Sequence, residues 1–555
     1  MSARPDGRRR RAAGRPLAAL APLVALACVV VPAAPGAARP TPAARPAQAQ
    51  PGAYDLDPQT RAAFDHIFDA VPSASCMSVR VNGGLLYARD PDKPVVPAST
   101  EKLVTAAIAL DVLGADHRFA TTVTGAAPLD GVVRGDLTLV GGGDPLLSTD
   151  AVIAHREIAE YHPTSLDDLA DRLVAAGIGR VEGRVVGDES RYDAVRSVPS
   201  WPERFVDQEQ SGPLSALGVD DGYDWDLGEG RAVRRRSEDP AASAARHLVR
   251  LLEARGITVA GGAASGPGAA GETLAEVRSA PLGKIVEELL TTSDNQTAEL
   301  LTKELGVHAG AGGSTEAGVG VIRSRAGQLG LTSPGTVIVD GSGLDPTNRA
   351  TCDQLVRVLD HAGGPDSQIG RGLAVAGETG TLRHRFEDSP VKGRLRAKTG
   401  RLNGVSSLAG FVPLGSGQSA TFSFVVNDAD DEKIAQFAQE LFAGVLTGTD
   451  LPCDDVGAPL VVPGATYAAP MGTLGMLPLQ TLLVPSMVLP LQVFQDRYDT
   501  MVDACLAADG DFGIVLVGGP LGGPLDRAEP DPSPEPTVHR PAGPTAILAP
   551  RRLDR

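Results

Sequence analysis

One serine and one lysine, three residues apart, are the first candidates for chemistry in the sequence. Ser99 and Lys102 begin an apolar segment that ends near Gly114, and this spacing places two side chains on one face of a helix. Burial or a second cation lowers the pKa of a lysine, so that its neutral amine can take the proton of the serine hydroxyl. The helix N-terminus adds positive potential for a developing anion. We interpret Glu101 as a solvated or hydrogen-bonded neighbour of this pair.

This spacing is a weak signal when it is taken alone. The chain has seven lysines, and about half a match to Ser-x-x-Lys is expected by chance. Ser389 and Lys392 are a second match, but Pro390 and Gly393 surround them, which is typical of a turn. The two side chains of that match need not face each other, and we treat it as a coincidence.

A second motif, Ser-Asp-Asn at residues 293–295, falls at a break between two helices that we predict within 281–306. Ser293 can relay a proton, and the amide of Asn295 can hold a substrate carbonyl. We expect Asp294 to brace the loop rather than to react.

A third motif closes a predicted strand. The sequence Lys398-Thr399-Gly400 has a chance expectation of only about 0.05 in a chain with so few lysines. The ammonium group of Lys398 can meet a substrate carboxylate, and Thr399 can add a hydrogen bond. Gly400 lets the strand edge approach a ligand closely, because it has no side chain.

These motifs, in this order, are shared by penicillin-binding proteins and class A β-lactamases. The chain resembles that group. It is more closely similar to the D-alanyl-D-alanine carboxypeptidase/endopeptidase family, the class C low-molecular-mass penicillin-binding proteins (peptidase family S13). The narrower resemblance covers about residues 54–447, and the stretches that carry it are 139–146, 211–221, 340–344 with 348–349, 380–383 with 385–386, and 393–400 with 402–406. We interpret segment 340–344 as structural.

The resemblance implies an exported serine-type D-Ala-D-Ala carboxypeptidase or endopeptidase. Its partners would be peptidoglycan stem peptides and cross-links, and β-lactam antibiotics. Backbone amides of Ser99 and of the strand just after Lys398 would form an oxyanion hole, and no metal or other cofactor is implied. The residues assigned to the site are, for catalysis, Ser99, Lys102 and Ser293, and, for substrate binding, Asn295, Lys398, Thr399 and Gly400. A β-lactamase-like hydrolase and a non-catalytic cell-wall-binding scaffold stay open as alternatives.

The elements around these motifs predict a mixed α/β (α+β) fold, with a sheet covered by helices. Segment 97–114 is apolar nearly all round, so we expect a buried helix. The other predicted helices and strands are helix 58–70, a hairpin of strands 76–81 and 85–89, strands 394–399, 406–412 and 420–427, and helix 431–445.

Residues 118–276 differ from the segments on either side. They contain short β-rich pieces, Gly/Pro-rich turns and two predicted helices, at 165–176 and 240–255. The family resemblance implies a β-lactamase-like, penicillin-binding transpeptidase-like domain in two segments, 54–117 and 277–447, with 118–276 as one or more inserted β-rich domains.

The N-terminus predicts export. A basic stretch, an apolar run and small residues fill residues 1–38, which is typical of a signal peptide. An uncleaved membrane anchor is the alternative, and residues 39–53 are typical of a linker. We therefore expect the mature protein in the cell envelope or outside the cell, in contact with a membrane only through the signal or such an anchor.

The C-terminus changes character after about residue 447. Residues 448–475 are typical of a linker, and 476–517 resemble the start of a Lon-type substrate-recognition domain at 477–479, 488–491 and 512–513. We predict disorder over 518–555. Lon-type domains are usually cytoplasmic, which conflicts with export, so we interpret this tail as a gene fusion or a reading-frame error.

Composition sets outer limits on function. The chain of 555 residues has a net charge of −17, which argues against general nucleic-acid binding. Four cysteines follow the signal segment: Cys76, Cys352, Cys453 and Cys505. Their spacing does not fit a zinc site. An extracellular setting permits disulfides, but the sequence does not determine which cysteines pair.

Overall fold

The computed structural model describes residue 54 and residues 56–156, 161–228, 232–269, 271–414 and 417–448, with the backbone of four short strands further on. The predicted signal peptide (1–38) and linker (39–53) lie outside the described residues. So do Cys453, Cys505 and all of the predicted linker 448–475 except Gly448. No helix within the described ranges is long and apolar enough to cross a membrane.

The described part of the chain contains both helices and strands. The helices are α1 (Pro58–Asp69), α2 (Lys102–Leu113), α3 (Asp150–Arg156), α4 (Leu166–Ala175), α5 (Arg204–Asp207), α6 (Pro240–Ala254), α7 (Leu282–Thr292), α8 (Asn295–His308), α9 (Thr315–Gln328), α10 (Cys352–Ala362), α11 (Gln368–Gly372) and α12 (Glu432–Thr447).

The strands fall into several sheets. They are β1 (Cys76–Val81), β2 (Gly84–Arg89), β3 (Ala120–Gly125), β4 (Val132–Val133), β5 (Leu137–Val140), β6 (Leu147–Ser148), β7 (Thr164–Ser165), β8 (Arg180–Val181), β9 (Val185–Asp188), β10 (Tyr223–Asp226), β11 (Val233–Arg236), β12 (Thr258–Val259), β13 (Ala263–Ser265), β14 (Glu272–Arg278), β15 (Ala374–Val375), β16 (Arg396–Leu402), β17 (Val405–Pro413), β18 (Ser419–Val426), β19 (Met476–Pro478), β20 (Pro490–Leu491), β21 (Gly513–Val515) and β22 (Ala546–Ile547).

A six-stranded antiparallel sheet in the order β15-β16-β17-β18-β1-β2 is the framework of the molecule. It joins the N-terminal hairpin to strands that lie more than two hundred residues later in the chain, because β1 pairs with β18 along its whole length. The sheet places the predicted Lys-Thr-Gly strand, β16, near one edge. The predicted hairpin and the three later strands are therefore present.

Each face of this sheet is covered by helices. Side chains alternate across a strand. In β18, Phe424 packs with α1 and α12, while Val425 belongs to the hydrophobic cluster on the other face, which includes side chains of α2, α7, α8 and α10. Both residues are fully buried. Truncation of a phenylalanine in such a core costs about 3–5 kcal/mol. The predicted mixed α/β fold class is confirmed.

A disulfide joins Cys76 of β1 to Cys352, the first residue of α10, with a Cα–Cα distance of 5.8 Å. The sequence left this pairing open. The bond ties the central sheet to a helix of the covering layer across a sequence separation of 276 residues. Cross-links of this kind stabilise a fold by about 2–5 kcal/mol.

Residues 118–276 form sheets of their own. A five-stranded sheet has the order β13-β9-β5-β3-β14, and a three-stranded sheet has the order β12-β8-β4. Helices α4 and α6, which the sequence predicts, pack on them in a separate hydrophobic cluster. The boundaries proposed for the inserted region and for the two flanking segments stay a prediction.

In the C-terminal segment, β19 pairs with β21 and β20 pairs with β22. Beyond these four strands, the predicted Lon-like fragment 476–517 and tail 518–555 lie outside the described residues. The Lon-type resemblance and the disorder predicted for the tail therefore stay predictions.

Candidate active site

The serine and lysine of the first motif lie on a tight turn that leads into α2. Residues Ala98–Glu101 form a 3₁₀ turn and Lys102 begins the α-helix. In a 3₁₀ turn the side chains at i and i+3 lie one above the other, and the Nζ atom of Lys102 donates a hydrogen bond to Ser99 Oγ at 2.9 Å. The prediction that this spacing brings the two groups together is confirmed.

Backbone strain marks the same turn. Ala98 has a φ of 48°, a conformation that non-glycine residues rarely adopt. Such a residue costs about 1–3 kcal/mol and persists only where its surroundings enforce it. Here Ala98 is fully buried and directly precedes Ser99. The fold therefore gives up some stability to hold the serine in this position.

Lys102 has two further acceptors, both from other parts of the chain. Its Nζ atom donates to Asn295 Oδ1 at 2.6 Å and to the backbone carbonyl of Ser342 at 2.7 Å. Lys102 is fully buried, whereas Ser99 remains half-buried. The amine is therefore held on three sides, and solvent or substrate can reach the serine hydroxyl.

The second motif is a sharp reversal between two helices. Helix α7 ends at Thr292, and Ser293 adopts the left-handed conformation, with φ 66° and ψ 35°. Asp294 caps α8, because its carboxylate accepts from the backbone amides of Gln296 at 3.2 Å and Thr297 at 2.8 Å. This is the bracing role that the sequence predicts for Asp294, and it directs Asn295 into the site.

The amide orientation of Asn295 is fixed from both sides. Its Nδ2 atom donates to the backbone carbonyl of Gln210 at 2.7 Å, while its Oδ1 atom accepts from Lys102. Gln210 belongs to the region 118–276, so a residue of the predicted insertion contacts the site directly.

The third motif brings a second buried lysine to the same place. The Nζ atom of Lys398 donates to Ser293 Oγ at 2.7 Å and to the carbonyl of Thr399 at 2.8 Å. The hydroxyl of Thr399 bonds to that of Thr381 at 2.8 Å, on an exposed edge. Lys398 thus connects the second motif to the strand, and Thr399 faces outward beside it.

The requirement for glycine at position 400 has a structural reason that the sequence did not suggest. A Cβ atom at this position would lie 2.8 Å from the carbonyl of Pro97 and 2.9 Å from the amide of Ser99, and it would overlap the hydroxyl of Ser407. The missing side chain therefore allows β16 to pack directly against the serine turn. The Ser99 amide and this strand, expected to contribute to an oxyanion hole, are neighbours.

The pKa of Lys102 is lowered to about 8, mainly by burial. The sequence also predicts a neighbouring cation that lowers this pKa, but the main electrostatic effects at Lys102 come from other groups. The nearby charges are instead carboxylates, which raise the pKa and partly offset burial: Asp340, Asp294, Glu299 and Glu101. The cation effect acts at Lys398, whose pKa is lowered well below its usual range by burial and then by Lys102.

The interpretation of Glu101 as a solvated or hydrogen-bonded neighbour is wrong. Its side chain is fully buried, and neither carboxylate oxygen has a hydrogen-bond partner among the described residues. Burial, with Asp340 nearby, raises the pKa of Glu101 to about 8. The cause is tertiary packing, because Glu101 leads into the buried first two turns of α2 and the backbone of Gly343 packs against it.

The segment 340–344 is structural, as interpreted, but it also reaches the site. Asp340 is buried and accepts from the indole of Trp201 at 2.7 Å, from Gly343 N at 2.8 Å and from Asn348 Nδ2 at 2.8 Å. The loop that these bonds fix presents the Ser342 carbonyl to Lys102. A backbone carbonyl carries no side-chain signal, so sequence reasoning missed it.

Glu299 was also missed. It lies fully buried one helical turn after Asn295, and its Oε1 atom accepts from the amides of Gly341 at 3.0 Å and Ser342 at 2.8 Å. Its spacing of four residues from Asn295 was the available signal, because it places both on one face of α8. Lys392 of the second Ser-x-x-Lys match, by contrast, is exposed in a turn, in agreement with its dismissal.

Comparison with known proteins identifies the family of the chain. A family model described as D-Ala-D-Ala carboxypeptidase 3 (S13) family matches residues 74–224 and 226–444. The D-alanyl-D-alanine carboxypeptidase of Actinomadura sp. is 31% identical over 443 residues, which cover 64% of this chain and 80% of that protein. A carboxypeptidase of Mycobacterium tuberculosis is 33% identical over 359 residues, which cover 63% of this chain and 75% of the relative.

Solved structures show the same fold. Penicillin-binding protein 4 (dacB) from Haemophilus influenzae aligns with a TM-score of 0.57 and 20% identity, over 68% of this chain and 97% of that one. A second structure of that protein, complexed with a β-lactam, aligns with a TM-score of 0.55 and 18% identity, over 69% and 99% of the two chains. The class predicted from the sequence, a serine-type D-Ala-D-Ala carboxypeptidase, is confirmed: the chain belongs to the D-Ala-D-Ala carboxypeptidase 3 (S13) family.

Proposed function

We propose that this protein is an exported carboxypeptidase and endopeptidase of peptidoglycan that works through an acyl-enzyme on Ser99. The observation that carries the proposal is the hydrogen bond of 2.9 Å between Lys102 Nζ and Ser99 Oγ. The amine is fully buried and its pKa is lowered to about 8. A fraction of the lysine is therefore neutral near pH 7 and can act as a base.

In the acylation step, Ser99 Oγ attacks the carbonyl carbon between two D-Ala residues while its proton moves to the neutral amine of Lys102. The resulting oxyanion is stabilised by backbone amides, for which the Ser99 amide beside Gly400 is the first candidate. Collapse of this intermediate breaks the peptide bond, and the leaving D-Ala nitrogen takes up the proton that Lys102 accepted, passed on through the hydroxyl of Ser293. Water then attacks the ester on Ser99 and releases the shortened peptide.

Substrate binding falls to the other motif residues. One N–H of the Asn295 amide is engaged by Gln210, and the other can bind a peptide carbonyl. Lys398 would bind the terminal carboxylate, and the hydroxyl of Thr399 at the exposed edge would add a second donor. Charge-assisted hydrogen bonds of this kind contribute about 1.5–3 kcal/mol each.

β-Lactam binding follows from the same chemistry, because a β-lactam presents a strained amide and a carboxylate to the same groups. The structural neighbour from H. influenzae has been solved as a β-lactam complex. Export is supported by the substrate, which lies outside the cytoplasm, and by the predicted signal peptide at residues 1–38.

Labelling with a fluorescent penicillin tests the acyl-enzyme. We expect wild-type protein and a Ser389→Ala control to label equally, and Ser99→Ala to label not at all. Well-folded wild-type protein that fails to label would favour a non-catalytic wall-binding scaffold. Rapid steady-state turnover of penicillin, with no lasting adduct, would favour a β-lactamase instead.

Digestion of purified muropeptides defines the reaction. We expect wild-type protein to release D-Ala from pentapeptides and to cleave cross-linked dimers, and Ser99→Ala to do neither. Release of D-Ala with intact dimers would restrict the function to carboxypeptidase activity.

A further inference from the structure

The loop at residues 340–344 is inserted tightly between the serine turn and α8. A Cβ atom on Gly341 would overlap the side chain of Thr302 and lie 2.8 Å from the carbonyl of Ala298, both on α8. A Cβ atom on Gly343 would overlap the carbonyl of Ala98 and lie 2.9 Å from Glu101 Cβ. The loop backbone is thus pressed against both catalytic elements, and small displacements of it reach Lys102.

Glu299 determines how this loop presents its backbone. Its Oε1 atom receives two successive amides, from Gly341 at 3.0 Å and Ser342 at 2.8 Å. The hydroxyl of Thr105 holds the carbonyl of Gly341 at 2.7 Å from the other side. With these peptide groups fixed, the carbonyl of Ser342 lies 2.7 Å from Lys102 Nζ.

The number of hydrogens on the amine gives this carbonyl a specific consequence. A neutral primary amine has two N–H groups and one lone pair, whereas the ammonium ion has three N–H groups. Lys102 has three neighbours: Ser99 Oγ, Asn295 Oδ1 and the Ser342 carbonyl. The last two are oxygens that accept only, because the Nδ2 atom of Asn295 faces Gln210.

When Lys102 is neutral, its two N–H groups therefore bond to Asn295 and Ser342. The lone pair is left facing Ser99, which is the single neighbour with a proton to give. When the proton arrives from Ser99, the ammonium ion can satisfy all three oxygens without turning. The two carbonyl acceptors thus orient the lone pair of Lys102 toward Ser99.

We propose that Glu299 is a positioning residue for the base: by holding the amides of Gly341 and Ser342, it aims the Ser342 carbonyl at Lys102 and so turns the lone pair of the neutral amine toward Ser99. The proposal rests on the acyl-enzyme function proposed above. It gives Glu299 a role in the rate of proton transfer, although Glu299 touches neither the substrate nor the serine.

The charge of Glu299 is not what this role requires. Burial, with Asp340 nearby, raises the pKa of Glu299 to about 8, so this carboxyl group ionises less readily than an exposed glutamate, and its Oε1 atom can accept both amides in either protonation state. Glutamine has the same shape and keeps an oxygen that accepts both amides. Leucine keeps the approximate volume and removes the acceptor, and aspartate keeps the acidic group but shortens its reach.

The test measures the first-order rate constant of Ser99 acylation by penicillin from neutral to alkaline pH, together with the end-point fraction of protein labelled. A loss of about 100-fold in the rate constant is expected for Glu299→Leu, since misplacement of a catalytic group by about 1 Å costs this much. The loss should persist at alkaline pH, where Lys102 is neutral in every variant, and the end point should remain complete. Glu299→Gln should restore the rate to within about threefold.

Glu304→Leu is the matched control. Glu304 is also a buried glutamate of α8, but it pairs with Arg191 on the far side from the loop. Its removal should lower the melting temperature without changing the acylation rate per active molecule. If Glu299→Leu does not fold, the acylation rate of Glu299→Asp is measured instead. Its shorter side chain should lose at least one of the two amide hydrogen bonds, so its rate should also fall.

Three results would overturn the proposal. The first is a wild-type rate constant in Glu299→Leu, or in Glu299→Asp, with only the labelled fraction reduced, which would indicate a merely structural role. The second is recovery of the full rate at alkaline pH, which would mean that Glu299 acts through the pKa of Lys102. The third is an equal loss in Glu299→Gln. Absence of labelling in the wild-type protein would instead refute the proposed function itself.

Discussion

The site contains two fully buried lysines whose surroundings differ. Lys102 is bonded to three oxygens, and carboxylates near it partly restore the affinity for protons that burial removes. Lys398 is bonded to a hydroxyl and a carbonyl, and both burial and Lys102 lower its pKa. The same residue type therefore occupies two different electrostatic environments.

The two environments favour different charge states of the same side chain. The pKa of Lys102 stays near 8 because carboxylates of the fold lie close to it. At Lys398 burial and Lys102 both disfavour the charged form, so a bound carboxylate would favour it. We infer that Lys102 acts in proton transfer, whereas Lys398 acts in binding a substrate carboxylate.

The largest expected effect tests the base. Lys102→Met should lower the rate of acylation by penicillin by about 100- to 10,000-fold, the usual contribution of a positioned general base. Stopped-flow labelling measures it, with Lys398→Met as the paired variant. Equal losses in the two variants would erase the distinction between the lysines.

A smaller effect tests the carboxylate site. Lys398→Met should lower kcat/KM about 10- to 100-fold for peptides with a free terminal carboxylate, in proportion to one charge-assisted hydrogen bond. Peptides that end in a D-Ala-D-lactate methyl ester lack that charge and should lose much less. The two substrates serve as each other's controls, and a loss of the same size for both would assign Lys398 to the chemical step.

The pH profile tests the carboxylates around Lys102. Because the neutral amine is the active form, the acylation rate should rise with pH through about 8. Glu101 raises the pKa of Lys102 when ionised, so Glu101→Gln should move this rise to lower pH, by less than about one unit. Glu304→Gln should leave the profile in place, and a shift to higher pH in Glu101→Gln would contradict the electrostatic account.

The smallest effect concerns the exposed edge beside Lys398. Thr381→Val removes the hydrogen bond of 2.8 Å to the hydroxyl of Thr399. The Thr399 hydroxyl is then free to rotate. We expect KM for peptides to rise about two- to fivefold, as for one neutral hydrogen bond, with kcat nearly constant. A change in kcat without a change in KM would place this hydroxyl in proton transfer rather than in binding.

Sequence reasoning recovered the parts of the site that side chains encode. The three motifs meet as predicted, and the break before Asn295 is a left-handed serine followed by a capping aspartate. The helices that it missed include α9, whose three glycines weaken the helical signal. α10 was also missed, although Thr351 caps it and its apolar positions recur regularly.

What the sequence could not supply depends on tertiary contact. The carbonyls of Gln210 and Ser342 belong to the backbone, so no residue type announces them. Glu101 looked solvated because its neighbours in sequence do not show that the start of α2 is packed against other parts of the chain. The pairing of Cys76 with Cys352 likewise depends on which strand and helix become neighbours.

The order of strands in the central sheet has a consequence for biogenesis. Strand β1 lies between β2 and β18, so the hairpin that precedes the serine turn has an open edge until a strand near residue 420 has been synthesised. Such long-range pairing slows folding and delays closure of the domain until almost all of it has left the ribosome. For a chain that is exported as proposed, the late partner keeps the polypeptide unfolded and competent for translocation, and the disulfide from β1 can form only after arrival in an oxidising compartment.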